Sequence, residues 1–276
     1  RETIELGDFA RTRDLSPLAA AIRRMCAAAN GAPVLGVCIG FPANLDPDAA
    51  AIVSYAAMDI QQPTSFAQVF PAFWREVELP VYLENDANLA CEGEAFLRRG
   101  AGGAANMLYL SIGSGCGGAV RLDGKLRRGA RCRAGEVGAM LLQPALGAPG
   151  RSAARETLED AVCLAALERR FGAALRDGAQ PGEASAQAMR DYLCGPLSGA
   201  VYSLVMTLDV ELCVLAGIVP GALGMQLCTQ VSEALRAALP ESTPVRVEPS
   251  VSADAGVIGA AATVFERSLD ALLGSG

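Results

Sequence analysis

The chain has 276 residues, a formal net charge of -7 and no histidine. The missing histidine excludes Ser-His-Asp and Cys-His triads, and any zinc site that needs an imidazole ligand. A general acid or base must therefore be Asp, Glu, Cys, Tyr or the single lysine, Lys125. The acidic balance also disfavours nonspecific binding to nucleic acid, because neutralising phosphates takes clustered cations.

Nine cysteines are scattered along the chain without a C-x-x-C pair. An odd number without a framework spacing predicts reduced, buried thiols in a cytoplasmic protein. The best candidate for a membrane span, residues 200–219, is interrupted by Asp209 and Glu211, so we expect no membrane segment. The length suits one large domain or two smaller lobes.

In chain order, the first predicted elements are a short strand at residues 4–6 and a helix at 14–29, where a cap residue precedes Pro17. A continuous apolar run predicts a buried strand at 34–39, which ends in a Gly-Phe-Pro turn. Residues 65–77 are predicted to form a helix that Pro71 should kink.

The rest of the chain alternates predicted strands with predicted helices. The strands lie at 80–83, 107–112, 119–122, 211–215 and 245–247, and the helices at 88–99, 153–175, 184–208 and 255–273. Asp123-Gly124 is a hairpin-turn signal. Strands that alternate with helices predict an α/β fold.

The first candidate for chemistry is Glu84-Asn85-Asp86-Ala87-Asn88, where a predicted strand ends and a predicted helix begins. In open α/β sheets, ligands bind outside the carboxyl ends of the strands. The alternative is a helix cap, in which Asn85 or Asp86 only satisfies backbone N–H groups. The segment holds more polar side chains than one cap needs.

The second candidate is the glycine-rich stretch Gly113-Ser114-Gly115-Cys116-Gly117-Gly118, directly after the predicted strand 107–112. Glycines in this place let backbone N–H groups approach a phosphate closely. Because a strand and a hairpin follow, and not a helix, the pattern excludes both the Rossmann and the P-loop motifs. A tight turn between two strands is the alternative interpretation.

Two acidic residues complete the set of candidates. Glu136 stands between Gly135 and Gly138, where a surface turn is the simpler interpretation. Glu156 precedes Thr157 and a predicted helix, where a negative charge favouring the helix N-terminus is the simpler interpretation. Alone, neither residue indicates a functional site, but the order and spacing of all four candidate segments along the chain do.

Taken together, these segments resemble the ROK family of bacterial sugar kinases and sugar-responsive repressors, over roughly residues 30–265. The pentapeptide at 84–88 matches the family's Glu-Asn-Asp-Ala-Asn motif in full. Further segments similar to family motifs lie at 34–42, 113–118, 123–130, 135–138, 208–217 and 254–261. The resemblance implies an α/β fold of the two-lobed actin-like ATPase type, which is ribonuclease-H-like. Residues 1–84 would form a small N-terminal lobe closed by the helix 255–273, and residues 85–254 a large C-terminal lobe.

The resemblance also implies roles at the sugar. Asp86 is expected to be the general base that takes the proton of a sugar hydroxyl. Asn85, Glu136 and Glu156 are expected to bind sugar hydroxyls, which suits carboxylates because they accept hydrogen bonds from a polyol. A sugar ligand and a second copy of the chain, as a homodimer, are the expected partners.

For the nucleotide, the resemblance implies ATP with Mg²⁺ as cofactors. Gly113, Ser114 and Gly115 would lie against the phosphates, and Gly217 near the adenosine. Phosphoryl transfer depends on neutralising the charge of those phosphates.

The chain departs from the family pattern in three places. The Asp-x-Gly-x-Thr hairpin that opens the family's kinases is not found, so we expect residues before Arg1, or a partner, to supply it. The family's zinc ligands fall on Ala139, Gly147, Pro149 and Ala154, so we expect no structural zinc and no metal ligand here. No helix-turn-helix lies in these residues, so DNA binding would need a further N-terminal domain.

Three hypotheses for the function remain open, and the first two belong to different functional classes. An ATP-dependent kinase for a hexose or an N-acetylhexosamine is favoured by the intact motif around Asp86 and by the phosphate loop. A sugar-sensing effector domain of a transcriptional regulator is favoured by the lost zinc site, the missing family histidine and the missing first phosphate motif. A catalytically silent member with a structural role is the third hypothesis, since a fold does not decide a function.

Overall fold

The computed structural model describes residues 2, 4–100, 103–142, 156–172, 175 and 180–273. Its first elements precede the motif at 84–88. They are helices α1 (Phe9–Thr12) and α2 (Ser16–Ala28), strands β1 (Val37–Phe41), β2 (Asn44–Asp46), β3 (Ala51–Ser54) and β4 (Thr64–Ser65), helices α3 (Phe66–Val69) and α4 (Pro71–Glu76), and strand β5 (Val81–Asn85).

These elements form two small sheets around one core. β1 and β5 run parallel, with Phe41 opposite Asn85, and β2, β3 and β4 run antiparallel. Phe41 packs edge-on against Tyr55 and Phe66, with ring centroids 5.3 and 5.7 Å apart. Because parallel strands end at the same edge, the turn after β1 lies beside the residues that follow β5.

The second group of elements builds a five-stranded sheet in the order β10-β9-β6-β7-β8. β6 and β7 form an antiparallel hairpin, while β9 runs parallel to both β6 and β10. The elements are α5 (Asp86–Leu97), β6 (Met107–Ile112), β7 (Cys116–Leu122), β8 (Lys125–Arg127), α6 (Leu158–Val162), α7 (Leu164–Phe171), α8 (Glu183–Leu208), β9 (Leu212–Ala216), α9 (Ile218–Leu223), α10 (Met225–Ala238), β10 (Arg246–Pro249) and α11 (Ala255–Leu273).

Helices cover both faces of this sheet. Leu108 and Leu110 of β6 pack in a cluster with α6, α7, α8 and α10. The alternate residues Met107 and Tyr109 pack with Cys91 of α5 on the other face. Burial on both faces explains the continuous apolar character of β6 and β9 in the sequence.

α11 crosses α5 at two glycines. A side chain at Gly93 would overlap the carbonyl of Ala255, and one at Gly259 would overlap the carbonyl of Leu89. The two helix backbones are therefore in direct contact, which only residues without a Cβ allow.

A buried ion network ties α5 to β10. Glu94 is fully buried and accepts hydrogen bonds from Arg98 Nε at 3.0 Å and from the Val251 N–H at 2.9 Å. Arg98 also pairs with Glu248 and donates to the Pro249 carbonyl at 2.9 Å. The charges are paired, as buried charges must be to avoid a large desolvation cost.

The structure confirms the predicted strand at 107–112 and the predicted helix at 255–273 at both ends. The predicted strand at 4–6 is wrong, since these residues form no regular element. The predicted strand at 34–39 is shifted to Val37–Phe41, and Val34 and Leu35 are exposed. The predicted helix at 65–77 is two helices, because Pro71 has no N–H to continue the first and instead begins the second.

The long helix predicted at 153–175 is also wrong over its described part, because the extended backbone of Cys163 separates α6 from α7. Residues 153–155, 173 and 174 lie outside the described residues. β2 to β4, α9 and α10 were not predicted. All nine cysteines are free thiols, and five of them are buried. Of the described helices, none is long and apolar enough to cross a membrane.

Candidate functional site

A cavity of about 940 Å³ lies between the start of α5 and the β6–β7 turn. Asn85 and Asp86 at the start of α5 line it, and so do Ser114 and Gly115 of the turn. A second cavity of about 50 Å³ shares Asn85, Asp86 and Glu136 with the first. The motif at 84–88, the glycine-rich stretch at 113–118 and Glu136 therefore contribute to the same cavity.

Asn85 is the N-cap of α5. Its Oδ1 accepts hydrogen bonds from the N–H groups of Ala87 and Asn88 at 3.0 and 3.2 Å, and its Nδ2 donates to the Ala43 carbonyl at 3.2 Å. The cap interpretation therefore holds for Asn85, and Asp86 Oδ1 also accepts from the Ala87 N–H at 2.9 Å. Asp86 is nevertheless exposed and lines the cavity, so its carboxylate is accessible to a ligand.

Glu84 is buried beneath this junction and holds it in place. Its carboxylate accepts from the Asn85 N–H at 2.9 Å, from Asn88 Nδ2 at 2.8 Å and from Arg128 Nε at 2.8 Å. The carboxylate is thus paired with a cation and bonded to Asn85 and Asn88, which lie on either side of Asp86 in the sequence.

The first half of the glycine-rich stretch, residues 113–115, forms the tight turn of the β6–β7 hairpin, and the second half begins β7. The Gly113 N–H donates to the Gly115 carbonyl at 2.9 Å, and the Gly113 carbonyl accepts from the Leu164 N–H at 2.8 Å. Gly118 lies within β7, where a side chain would stand 2.9 Å from the Tyr109 carbonyl. The turn interpretation is correct, and the same turn also presents Gly113, Ser114 and Gly115 to the cavity.

One side chain already contacts this turn. Glu159 of α6 accepts a hydrogen bond from the Cys116 N–H through Oε2 at 2.8 Å. The same oxygen lies 2.8 Å from where a side chain of Gly115 would begin. Burial, and after it the Glu159 charge, raises the pKa of the Cys116 thiol to about 12, so this thiol stays protonated at neutral pH.

Glu136 reaches the site from the loop after β8. Gly135 before it has φ +96°, and a side chain there would overlap the Gly118 carbonyl, so the loop lies directly against β7. Partial shielding from water raises the pKa of Glu136, and the Arg133 guanidinium opposes that rise. With the Asn44 amide oxygen facing Ser54, the Asn44 nitrogen donates to Glu136 at 2.6 Å.

Tyr55 lines the same cavity as Asp86. Burial raises the pKa of the Tyr55 hydroxyl, and the nearby negative charge of Asp86 adds to the rise. The hydroxyl therefore remains a hydrogen-bond donor at neutral pH.

Two predicted residues lie elsewhere. Glu156 lines a separate cavity of about 520 Å³ together with Met140 and Tyr192. Gly217, with φ +93°, backs onto Ile112 at the end of β6, where any side chain would meet the Ile112 backbone. The structure thus brings together Asn85, Asp86, Glu136, Gly113, Ser114 and Gly115, and leaves Glu156 and Gly217 outside this cavity.

The lining residues that the sequence did not single out include Asn44, Tyr55, Arg133 and Glu159. Asn44 had a signal, since it lies two residues after the Gly-Phe-Pro turn that ends β1. Tyr55 and Glu159 had none, because β3 and the break at Cys163 were not predicted.

Metal ligands are few in the part of the chain that the structure describes. No group of three or more His, Cys, Asp or Glu side chains there could hold a metal ion. Of the four positions matched to the family's zinc ligands, Ala139 ends a short 3-10 helix and carries no donor atom. Gly147, Pro149 and Ala154 lie outside the described residues.

Comparison with known proteins gives one family. A model of the ROK family matches residues 10–267. A glucokinase of Halalkalibacterium halodurans is 34% identical over 141 residues, which are 49% of this chain and 40% of that enzyme. The chain thus spans less than half the length of this curated relative.

Solved structures are similar over most of the chain. A ROK hexokinase from Thermus thermophilus is 26% identical, covers 92% of this chain and 86% of its own, and has a TM-score of 0.68. A ROK family transcriptional regulator, a homologue of the E. coli MLC protein, is 17% identical with a TM-score of 0.72 and covers 94% and 69%. At that identity the regulator shows only a shared fold.

Proposed function

The chain belongs to the ROK family, and we propose that it is a kinase that transfers a phosphoryl group from ATP to a hydroxyl of a hexose or an N-acetylhexosamine. Its fold is the α/β, two-lobed actin-like ATPase fold that the sequence predicts. The observation that supports the proposal is the shared cavity, which both Asp86 and the turn at Ser114 and Gly115 line. A base and a phosphate-binding turn in one cavity are what phosphoryl transfer to an alcohol requires.

In the proposed reaction, Asp86 accepts the proton of the sugar hydroxyl while the hydroxyl oxygen of the sugar forms a bond to the γ-phosphorus of ATP. The bond from that phosphorus to the β–γ bridging oxygen breaks, and ADP leaves with the electron pair. Asp86 suits the role because its side chain is exposed and lines the cavity at the start of α5, where Asn85 is the N-cap.

Three residues are proposed to hold the sugar. Asn85 and Glu136 line both cavities at the Asp86 end, and the ionised Glu136 is an acceptor for sugar hydroxyls. Glu156 is retained as a sugar ligand on the family resemblance alone, since its side chain lines a different cavity.

For the nucleotide, we place the phosphates against Gly113, Ser114 and Gly115, and the adenosine near Gly217. Since the described residues offer no cluster of three acidic or thiol ligands, Mg²⁺ would be held mainly by phosphate oxygens, as is usual for this ion. We also propose that the chain carries no structural zinc, which metal analysis of the purified protein would refute by finding one zinc per chain.

We further propose that residues 1–84 and the helix 255–273 form one lobe and residues 85–254 the other, with the cavity at their junction. Two copies of the chain are proposed to form a dimer, which light scattering would measure.

The test is ADP release from ATP in the presence of a panel of hexoses and N-acetylhexosamines. Wild-type protein should release ADP with at least one sugar, and Asp86→Asn should release it about 10²–10⁴-fold more slowly. Absence of turnover with every sugar would reject the kinase. Turnover that is unchanged in Asp86→Asn would reject Asp86 as the base while leaving the kinase in place.

The second candidate function is the sugar-sensing domain of a ROK-type transcriptional regulator, with DNA bound by a further N-terminal domain. The observation that favours it is the Glu159 carboxylate on the glycine turn, where a nucleotide phosphate would bind. Sugar binding measured by calorimetry, without ADP release for any sugar in the panel, would support this candidate over the kinase.

A further inference from the structure

We propose that the Glu159 carboxylate occupies the anion-binding position of the β6–β7 turn, and that nucleotide phosphates bind there only by displacing it. The inference rests on the proposed function in one respect, since it takes the turn to be a phosphate site. It adds that a side chain of the protein itself, Glu159, competes with the nucleotide phosphates for that site, which the sequence pattern did not indicate.

The geometry of the turn carries the first step. A glycine turn after a strand binds anions through backbone N–H groups that point into a concavity. The Cys116 N–H, directly after Ser114 and Gly115, donates to Glu159 Oε2 at 2.8 Å. That oxygen also stands 2.8 Å from the Cβ position of Gly115, on the wall of the cavity. A negatively charged oxygen already lies where a phosphate oxygen would bind.

The backbone around Glu159 holds this carboxylate on the turn. Thr157 caps α6, accepting from the Asp160 N–H at 3.2 Å, and Asp160 accepts in return from the Thr157 N–H at 3.0 Å. At the other end, the Leu164 N–H donates to the Gly113 carbonyl at 2.8 Å. A carboxylate fixed beside its donor acts at a high effective concentration, so a diffusing anion competes at a disadvantage.

Within the part of the chain that the structure describes, the Glu159 carboxylate has no cationic partner at ion-pair distance. Its charge contributes to the raised pKa of Cys116 on the turn and to that of Glu136 across the cavity. Both effects show that the carboxylate makes the cavity more negative, which disfavours a polyphosphate.

The experiment measures ADP affinity by calorimetry, with and without Mg²⁺, for wild type, Glu159→Gln and Glu159→Asp. Glu159→Gln removes the charge and should bind ADP about tenfold more tightly, since a charge-assisted hydrogen bond no longer has to be broken. Glu159→Asp keeps the charge on a shorter side chain that withdraws from the Cys116 N–H, so its affinity should lie between the two. Glu233→Gln, which makes the same charge change on the exposed side of α10, should match wild type.

Each result decides something definite. Unchanged or weaker ADP binding in Glu159→Gln overturns the inference, and a loss confined to Mg²⁺-bound ADP would identify Glu159 as a metal ligand instead. Binding of ADP by no variant also overturns it. Tighter ADP binding in Glu159→Gln with no turnover of any sugar supports the inference and rejects the kinase, so the two failures are distinguishable.

Discussion

Arg128 and Glu84 form an ion pair in which Arg128 Nε lies 2.8 Å from Glu84 Oε2. Glu84 lies near the end of β5, two residues before Asp86, and Arg128 is the first residue of the loop that leads from β8 to Glu136. The Arg128 carbonyl also accepts from the Ala134 N–H at 3.0 Å. One arginine therefore fixes the loop and the junction to each other, and with them the distance between Asp86 and Glu136.

Removal of Arg128 should lower the stability of the fold. The Glu84 side chain is only 5% exposed, so Arg128→Ala leaves a buried carboxylate without its cation. We expect a loss of about 1–3 kcal/mol in the free energy of unfolding, measured by denaturant titration. Arg127→Ala, which breaks the exposed pair with Asp123, should cost less than about 0.5 kcal/mol. Equal losses in the two variants would contradict the role of Arg128.

Asp86→Asn should remove the base and keep the fold. Asparagine preserves the size of the side chain and the helix start, so the unfolding free energy should stay within about 0.5 kcal/mol of wild type. The rate of ADP release should fall by about 10²–10⁴-fold with little change in the KM for the sugar. Asp48→Asn, on the exposed surface, is the matched control and should leave the rate unchanged.

The contact between α5 and α11 predicts a contrast between two glycines of one helix. Gly259→Ala forces the new Cβ into the Leu89 carbonyl, and the helices must separate, at a cost of about 1–3 kcal/mol or more. Gly256→Ala meets no atom within 4 Å and should stabilise the chain by up to about 1 kcal/mol. Thermal unfolding of the two variants compares them directly. A Gly259→Ala protein as stable as wild type would mean that the helices do not touch there.

Glu136 should make stability depend on pH. Its pKa is raised from the ordinary value of 4.5 because shielding from water disfavours the charged form. The folded chain therefore holds the proton more tightly than the unfolded chain, and the ionised carboxylate destabilises the fold as pH rises through the folded-state pKa. Glu136→Gln should thus gain stability over wild type at neutral pH, and the gain should vanish near pH 4.

Urea titrations across this pH range measure the difference between the two proteins. Glu233→Gln should show no comparable trend, since Glu233 is exposed on α10. A gain for Glu136→Gln that does not change with pH would mean that ionisation of Glu136 is not its cause. The same variant should bind sugar more weakly, which would separate its effect on stability from its effect on function.

Local patterns were sufficient wherever one segment decides its own structure. The strand at 107–112 and the helix at 255–273 have the predicted bounds. Burial of the strand on both faces leaves a continuous apolar run in the sequence, and an apolar helix face leaves a periodic one. The Glu-Asn-Asp-Ala-Asn motif lies at a strand–helix junction, as the order of its polar and apolar residues indicates. These local signals predicted an α/β chain with polar residues at a strand–helix junction, while the actin-like fold and the role of Asp86 came from the resemblance to the ROK family.

Only the tertiary structure decided which acidic residues share a cavity. Glu136 lines it and Glu156 does not, although the sequence treats them alike, while Glu159 reaches the glycine turn from 43 residues away. Periodicity shows which face of an element is buried, but it carries no distance between separate segments. Those distances depend on how α6 packs against the β6–β7 hairpin, which is a property of the whole core.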